Sequence, residues 1–174
     1  SKIEPTEFLG YSDMEADCKI ISIISDSKSV DKIKKDQEAI ILLNQTPFYG
    51  ESGGQVGDQG YLENDNFKFN VLNTTKIFGS YFIHFGKVSI GNCSINDSVK
   101  ASINNDNRNL IKYNHSSTHL LHAALRKTLG NHVTQKGSLV NSEKLRFDFS
   151  HNNSIGKEEL QIIEDIVNNQ IKNN

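Results

Sequence analysis

The sequence predicts an α+β protein in which a small β-barrel is followed by a long helix packed on a sheet. Residues 18–104 consist of short runs rich in β-branched and aromatic residues, and segment 67–71 alternates apolar with polar side chains. The stretch 106–129 then contains neither glycine nor proline and is followed by Gly130, a residue suited to ending a helix. This change of pattern separates a β-rich part from a helical part.

Tight turns of glycine, asparagine and aspartate separate the β-type runs. The predicted strands are 19–25, 30–33, 38–44, 67–75, 81–88 and 99–103. Many short strands joined by such turns are typical of a small barrel or sandwich, of which we predict the barrel. The predicted organisation is a connector over 1–17, a barrel subdomain including a glycine-rich loop over 18–105, and an α/β core over 106–174.

The α/β core is predicted to continue beyond the first helix with a hairpin and a second helix. Residues 132–140 form a loop and strand, and 145–149 form the next strand. Ser154 is the predicted N-cap of the second helix, which we expect to run to the last residue. Its predicted apolar stripe consists of Leu160, Ile163, Val167 and Ile171.

Composition excludes several classes of function. A formal net charge of −2 over 174 residues excludes a globally basic nucleic-acid-binding protein and allows only a local basic patch. Cys18 and Cys93 have no metal-ligand spacing, so we expect two buried apolar side chains in a reduced compartment. No apolar run approaches the roughly 20 residues of a membrane span, and the first residues lack a signal-peptide pattern. We therefore expect a cytoplasmic protein that does not bind membranes.

The helix 106–129 carries a possible metal site. His115 and His119 are four residues apart, so they project from the same face, with His122 almost one turn further along. Two imidazoles would supply half of the tetrahedral shell of a zinc ion. The alternative is that these are surface or interfacial histidines hydrogen-bonded to water or a carbonyl.

A glycine-rich segment is the second candidate site. Positions 50, 53, 54, 57 and 60 are all glycine, which permits positive φ angles and close approach of a ligand to the main chain. The alternative is a pair of glycine-containing turns. No Lys-Ser/Thr follows and no helix begins here, so the segment is neither a Walker loop nor a dinucleotide fingerprint.

Three segments together carry a family resemblance. Residues 46–58, 114–126 and 133–151 resemble, in order and spacing, the editing region of the alanyl-tRNA synthetases. The free-standing alanyl-tRNA editing proteins share these motifs, and the H-x3-H helix is more distantly similar to the editing domain of threonyl-tRNA synthetase. The resemblance extends over nearly the whole chain from Phe8 onward.

This resemblance implies a role in protein synthesis. The parent enzyme would attach alanine to tRNA(Ala) in an ATP-dependent two-step reaction, with ATP bound by other parts of the enzyme. This segment would hydrolyse serine or glycine wrongly attached to tRNA(Ala), and its partners would be the tRNA acceptor end and the rest of the synthetase chain. A hydrolytic site is useful because an alanine pocket cannot exclude glycine sterically and discriminates only modestly against serine.

The resemblance also implies roles for individual residues. His115 and His119 match two zinc ligands, and Gln55 matches a catalytic glutamine near the scissile ester. Thr46 matches a threonine that takes part in catalysis and in substrate recognition. The hydroxyl of this threonine can hydrogen-bond the hydroxyl of serine. The remaining implied substrate-binding residues are Gly53 and Gly54 of the loop, and Gln135, Gly137 and Ser138, which would hold the 3′-adenosine.

One departure from the family pattern affects the metal. The family completes its zinc shell with a downstream C-x3-H motif, which the sequence up to Asn174 lacks. We therefore expect the chain to be an excised piece with an incomplete editing core. Such a half-site should bind zinc weakly, and the chain should hydrolyse little substrate.

Three other functions remain open from the sequence. The chain could be a free-standing editing deacylase acting in trans, or a non-catalytic module that contacts tRNA. The tripeptide Gly53-Gly54-Gln55 also occurs in peptide-chain release factors, although three residues carry little information.

Overall fold

The structure, a computed structural model, describes residues 4–173 and confirms the α+β class. The helices are α1 (Asn105–Leu129) and α2 (Lys157–Lys172). The strands are β1 (Glu7–Phe8), β2 (Glu15–Ser25), β3 (Lys28–Ser29), β4 (Lys32–Lys34), β5 (Glu38–Leu43), β6 (Gln45–Thr46), β7 (Gly60–Asn64), β8 (Phe67–Ile77), β9 (Tyr81–Ser94), β10 (Ser98–Ile103), β11 (Gln135–Val140) and β12 (Leu145–Phe149).

The described residues fall into two units. The barrel unit comprises residues 4–52 and 56–108, and the helical unit comprises residues 53–55 and 109–173. Residues Gly53–Gln55 of the glycine-rich loop belong to the helical unit by their contacts. The predicted connector is also partly structured, since β1 and the first residues of β2 belong to the barrel unit.

Six strands close the predicted barrel. Hydrogen-bonded neighbours run in the order β10, β7, β8, β9, β5, β2, and β10 pairs back with β2 in antiparallel register, as in Val99 opposite Cys18. Strand β3 adds to β2, β4 pairs with β9, and β1 runs parallel to β6. Closure leaves the six ring strands with a neighbour on both sides, so their backbone groups are used within the sheet.

The barrel interior follows the period-two pattern of the sequence. Phe67, Phe69 and Val71 are at most 2% exposed and point inward. Cys18 and Cys93 are buried free thiols, as predicted. Burial, together with a nearby aspartate in each case, raises the pKa of both thiols to about 12, so neither is a reactive thiolate.

Local details of the barrel differ from the sequence prediction. The predicted strand 30–33 survives only in part, as β4. Asp26 and Ser27, with φ values of 49° and 61°, form a two-residue hairpin turn that leads into β3. Strand β7 was not predicted, because its glycine and polar residues resemble a turn. It is stabilised by pairing with β8 on one side and β10 on the other.

A buried ion pair joins distant parts of the barrel unit. Arg108, in the first turn of α1, is 5% exposed, and its Nε lies 2.9 and 3.0 Å from the two carboxylate oxygens of Asp58, which is 2% exposed. The same guanidinium donates to the backbone oxygens of Gly10 and Pro47, each at 3.1 Å. The Asp58 carboxylate also accepts the Tyr49 N–H at 2.7 Å. Each of these polar groups therefore has a partner despite its burial.

The helical unit packs α1 and α2 against the β11–β12 hairpin. Its buried cluster is formed by Ala124, Leu125, Val133 and Ile163, with Phe147 and Phe149 of β12 packed against it. Helix α1 ends as predicted before Gly130. The φ of Gly130 is +115°, and its N–H donates to the backbone oxygen of Arg126. A helix packed on a sheet is thus confirmed as the second part of the fold.

Helix α2 differs from its prediction at both ends. Gly156, rather than Ser154, is the N-cap, and its N–H donates to the Glu159 carboxylate at 2.8 Å. The helix ends at Lys172, and Asn174 lies outside the described residues.

The predicted stripe of α2 is buried only in part. Ile163 is 4% exposed, whereas Leu160 and Ile171 are 51% and 49% exposed.

Neither helix of residues 4–173 is long and apolar enough to cross a membrane.

We expect Asp58→Asn to lower the free energy of unfolding by about 3–5 kcal/mol, because it leaves the buried Arg108 guanidinium without a counter-charge. Urea denaturation followed by circular dichroism measures this change. The matched control is Glu63→Gln, which removes the same charge from a half-buried ion pair with Lys68 and should cost less than about 1 kcal/mol. Equal losses for the two variants would contradict a stabilising role for the buried pair.

Candidate functional site

Two histidines on α1 lie close enough to bind one ion. Nε2 of His115 is 3.1 Å from Nε2 of His119, with the ring centroids 5.0 Å apart, and both side chains are exposed. Two nitrogens bound to a tetrahedral zinc ion at about 2.0–2.1 Å would be about 3.3–3.4 Å apart. The two lone pairs can therefore converge on one ion with only a small movement.

Residues Gly53–Gln55, called the glycine loop below, contact β11 within the helical unit. The Val140 N–H donates to Gly54 O at 2.8 Å, Gln55 forms a parallel β-bridge with Val140, and Ser138 Oγ donates to Gly53 O at 3.2 Å. Gly54 has a φ of +86°, and a Cβ there would lie 2.4 Å from Ser138 O. Only glycine fits this position without a shift of the backbone. The glycines at 53 and 54 therefore provide both the positive φ and the close approach.

This docking places Gln55 against the histidine pair. Its Oε1 is 2.6 Å from His115 Nδ1, across a sequence separation of 60 residues. An amide oxygen only accepts hydrogen bonds, so a proton on His115 Nδ1 makes this contact favourable. The opposite ring nitrogen, Nε2, is the one that faces His119.

The predicted adenosine-binding residues lie on β11, next to the same loop. Gln135 Nε2 donates to Ser138 Oγ at 3.2 Å, and the strand register shifts between Gln135 and Gly137. A Cβ at Gly137 would lie 2.9 Å from a carboxylate oxygen of Asp148. The structure thus brings these residues together with the glycine loop, while their binding role stays a prediction.

Thr46, the other predicted site residue, belongs to the barrel unit. It is fully buried, its Oγ1 is 2.8 Å from His84 Nε2, and it accepts the Phe48 N–H at 3.2 Å. Nδ1 of His84 is 3.0 Å from Ile41 O and must donate, since a carbonyl only accepts. The neutral His84 ring therefore accepts the Thr46 hydroxyl proton at Nε2, which leaves Thr46 able only to accept further hydrogen bonds.

His84 was not identified from the sequence, although a signal was available. It alternates with inward-facing Phe82 and Gly86 along β9, so its position alone indicated burial. What the pattern did not indicate is its partner Thr46, which is 38 residues away.

Within residues 4–173, no group of three or more histidine, cysteine, aspartate or glutamate side chains is arranged to hold a metal ion. The role of His115 and His119 as metal ligands stays a prediction. His122 does not join them, because its ring packs on Phe147 with centroids 5.1 Å apart and its Nε2 is buried without a hydrogen-bond partner.

We expect His84 to make stability depend on pH. Burial lowers its pKa from 6.5 to about 4, with the Ile41 hydrogen bond acting in the opposite direction. Because the folded pKa is below the unfolded one, the stabilisation is complete above about pH 6.5 and is lost as the pH falls towards 4. The loss amounts to roughly 3 kcal/mol.

Urea denaturation of the wild type and of His84→Gln at about pH 7 and about pH 4 measures this contribution. The wild type should lose more stability on acidification than the variant, in which position 84 does not titrate. Identical pH dependence in the two proteins would contradict the depressed pKa of His84.

Comparison with known families gives an assignment that covers the barrel unit. Residues 1–107 match the family model described as tRNA synthetases class II (A). The matched part contains every strand from β1 to β10, together with Thr46, the glycine-rich segment and the start of α1. Because the match covers more than half of the 174 residues, the chain belongs to the class II tRNA synthetases, enzymes that charge tRNA with amino acids and have tRNA as a partner.

Proposed function

We propose that this chain is part of an alanyl-tRNA synthetase and contributes to the site that hydrolyses serine or glycine wrongly attached to tRNA(Ala). The observation that carries the proposal is the contact of Gln55 with His115, beside the close pair of His115 and His119. The family assignment supports a synthetase over a free-standing editing protein, because the matching model is one of tRNA synthetases.

The side chains present fit ester hydrolysis. The Gln55 oxygen contacts His115, which leaves its NH2 group to donate a hydrogen bond to the carbonyl oxygen of a bound ester. The two imidazoles offer nitrogen ligands of the kind that zinc prefers. A zinc ion bound there would polarise a water or carbonyl, or hold the amino group of the substrate.

Strand β11, on which the loop carrying Gln55 docks, offers a binding surface for the 3′-adenosine. Gln135, Gly137 and Ser138 lie on β11, and Ser138 bonds to the loop that carries Gln55. Terminal adenosine held by these residues would place its esterified ribose close to Gln55.

Charge supports contact of the helical unit with RNA. Between positions 109 and 174 there are 8 Lys+Arg against 6 Asp+Glu, whereas the whole chain has a net charge of −2. A positive net charge of this unit favours phosphate contacts even though the whole chain is slightly acidic.

Serine recognition is proposed to involve Thr46 as an acceptor. Its hydroxyl proton is used by His84, so a serine hydroxyl would have to donate to Thr46. Thr46 is fully buried in the structure, and this contact therefore requires the substrate to gain access to it.

The proposal is tested by hydrolysis of serine-charged and alanine-charged tRNA(Ala) with zinc present. The chain is assayed alone and joined to a segment that supplies the C-x3-H motif of the family. We expect selective hydrolysis of the serine ester by the joined form. His115→Ala should lower the rate at least about 100-fold, and Gln55→Ala at least about 10-fold. Leu110→Ala, at an exposed position on the same helix, is the control and should be fully active.

Two outcomes would contradict the proposal. Equal hydrolysis of serine and alanine esters would exclude an editing function, because the correct product would be destroyed. No hydrolysis by either form, combined with binding of uncharged tRNA that weakens with salt, would favour the non-catalytic tRNA-contacting module.

A further inference from the structure

We propose that Gln55 is a positioning residue for His115, holding the imidazole in the tautomer whose Nε2 is free to bind a metal ion. This inference rests on the proposed function, because it concerns the histidine pair of that site. It assigns a role to the Gln55 oxygen, distinct from any contact that the NH2 group makes with the ester.

The imidazole ring of His115 has one proton to place when it is neutral. A neutral imidazole carries one proton, on either Nδ1 or Nε2, and only the unprotonated nitrogen can bind a metal. Gln55 Oε1 lies 2.6 Å from Nδ1 of His115 and has no proton to give. The contact therefore selects the Nδ1–H tautomer and leaves the Nε2 lone pair unprotonated.

The freed lone pair points toward the second histidine. Nε2 of His115 is the atom that lies 3.1 Å from Nε2 of His119. The nitrogen freed by Gln55 is thus the one that faces the prospective second ligand. Hydrogen bonds of this kind to the distal nitrogen orient metal-binding histidines generally, and their loss weakens metal affinity.

The backbone contacts of the loop explain how a glutamine 60 residues away is held in place. Gly54 O accepts the Val140 N–H at 2.8 Å, and Gly53 O accepts the Ser138 hydroxyl at 3.2 Å. These bonds, together with the β-bridge of Gln55 to Val140, fix the main chain on both sides of Gly54. The side chain of Gln55 therefore starts from a defined position beside His115.

Two substitutions separate the oxygen from the NH2 group. Gln55→Glu keeps an acceptor for the His115 proton and removes the donor, whereas Gln55→Met keeps the approximate length and removes both. A positioning role predicts that Glu preserves the tautomer and the metal affinity while Met loses both. A role confined to donation onto the ester predicts that neither change affects metal binding.

The tautomer is read directly from long-range 1H–15N spectra of the metal-free chain at about pH 8, where unperturbed imidazoles are neutral. We expect His115 to carry its proton on Nδ1 in the wild type and in Gln55→Glu, and to populate the Nε2–H form in Gln55→Met. A wild-type His115 with its proton on Nε2 would overturn the inference.

Zinc titration by calorimetry is the second readout. We expect Gln55→Met to bind zinc about 10- to 100-fold more weakly than the wild type, and Gln55→Glu to bind at least as tightly. The matched control is Gln161→Met on α2, where the glutamine contacts Asp165, and it should bind as the wild type does. His119→Ala identifies the heat that belongs to the histidine pair.

The outcomes distinguish this inference from the function on which it rests. Equal zinc affinity in the wild type and Gln55→Met would overturn the positioning role alone and leave Gln55 to act on the ester. Wild-type binding no tighter than that of His119→Ala would overturn the metal site itself, and the positioning role with it.

Discussion

The buried guanidinium of Arg108 is the interaction on which the glycine-rich segment depends. It holds Asp58 at one end of that segment and the backbone of Pro47 at the other, and it also binds Gly10 O near the first strand. Removing the charge of Asp58 would leave the buried Arg108 guanidinium without a counter-charge, and this costs far more than the loss of an exposed ion pair does. With residues 47 and 58 held in the barrel unit, the intervening Gly53–Gln55 makes its own contacts in the helical unit.

His84 and His115 each have an oxygen acceptor at Nδ1, but only one of the two rings is available to bind a ligand. Each has an oxygen acceptor at Nδ1, Ile41 O for His84 and Gln55 Oε1 for His115, and in each the acceptor leaves Nε2 unprotonated. Nε2 of the buried His84 is satisfied by the Thr46 hydroxyl, so this ring is a structural group. His115 is exposed, and its Nε2 faces a second imidazole. The surroundings, not the residue type, decide which histidine is available for binding.

Membership of the class II tRNA synthetases places the chain in an enzyme family that charges tRNA. The proposed editing function is a hydrolytic role in addition to tRNA charging. Its residues come from three elements of the helical unit. The glycine loop supplies Gln55, α1 supplies the histidine pair, and β11 supplies the strand on which the loop docks. An ester site of this kind needs few charged groups, because a metal ion and oriented amide groups can stabilise the developing charge.

Local patterns in the sequence were sufficient for the barrel, for both ends of α1 within one residue and for the burial of Cys18 and Cys93. These features depend on periodicity and on residues that end helices, which act over a few positions. The spacing of His115 and His119 likewise determined that their rings share one face. Strand β7 and the Arg108–Asp58 pair were decided by tertiary structure. So was the contact of Gln55 with His115, because contacts across 50 or 60 residues leave no periodic trace in the chain.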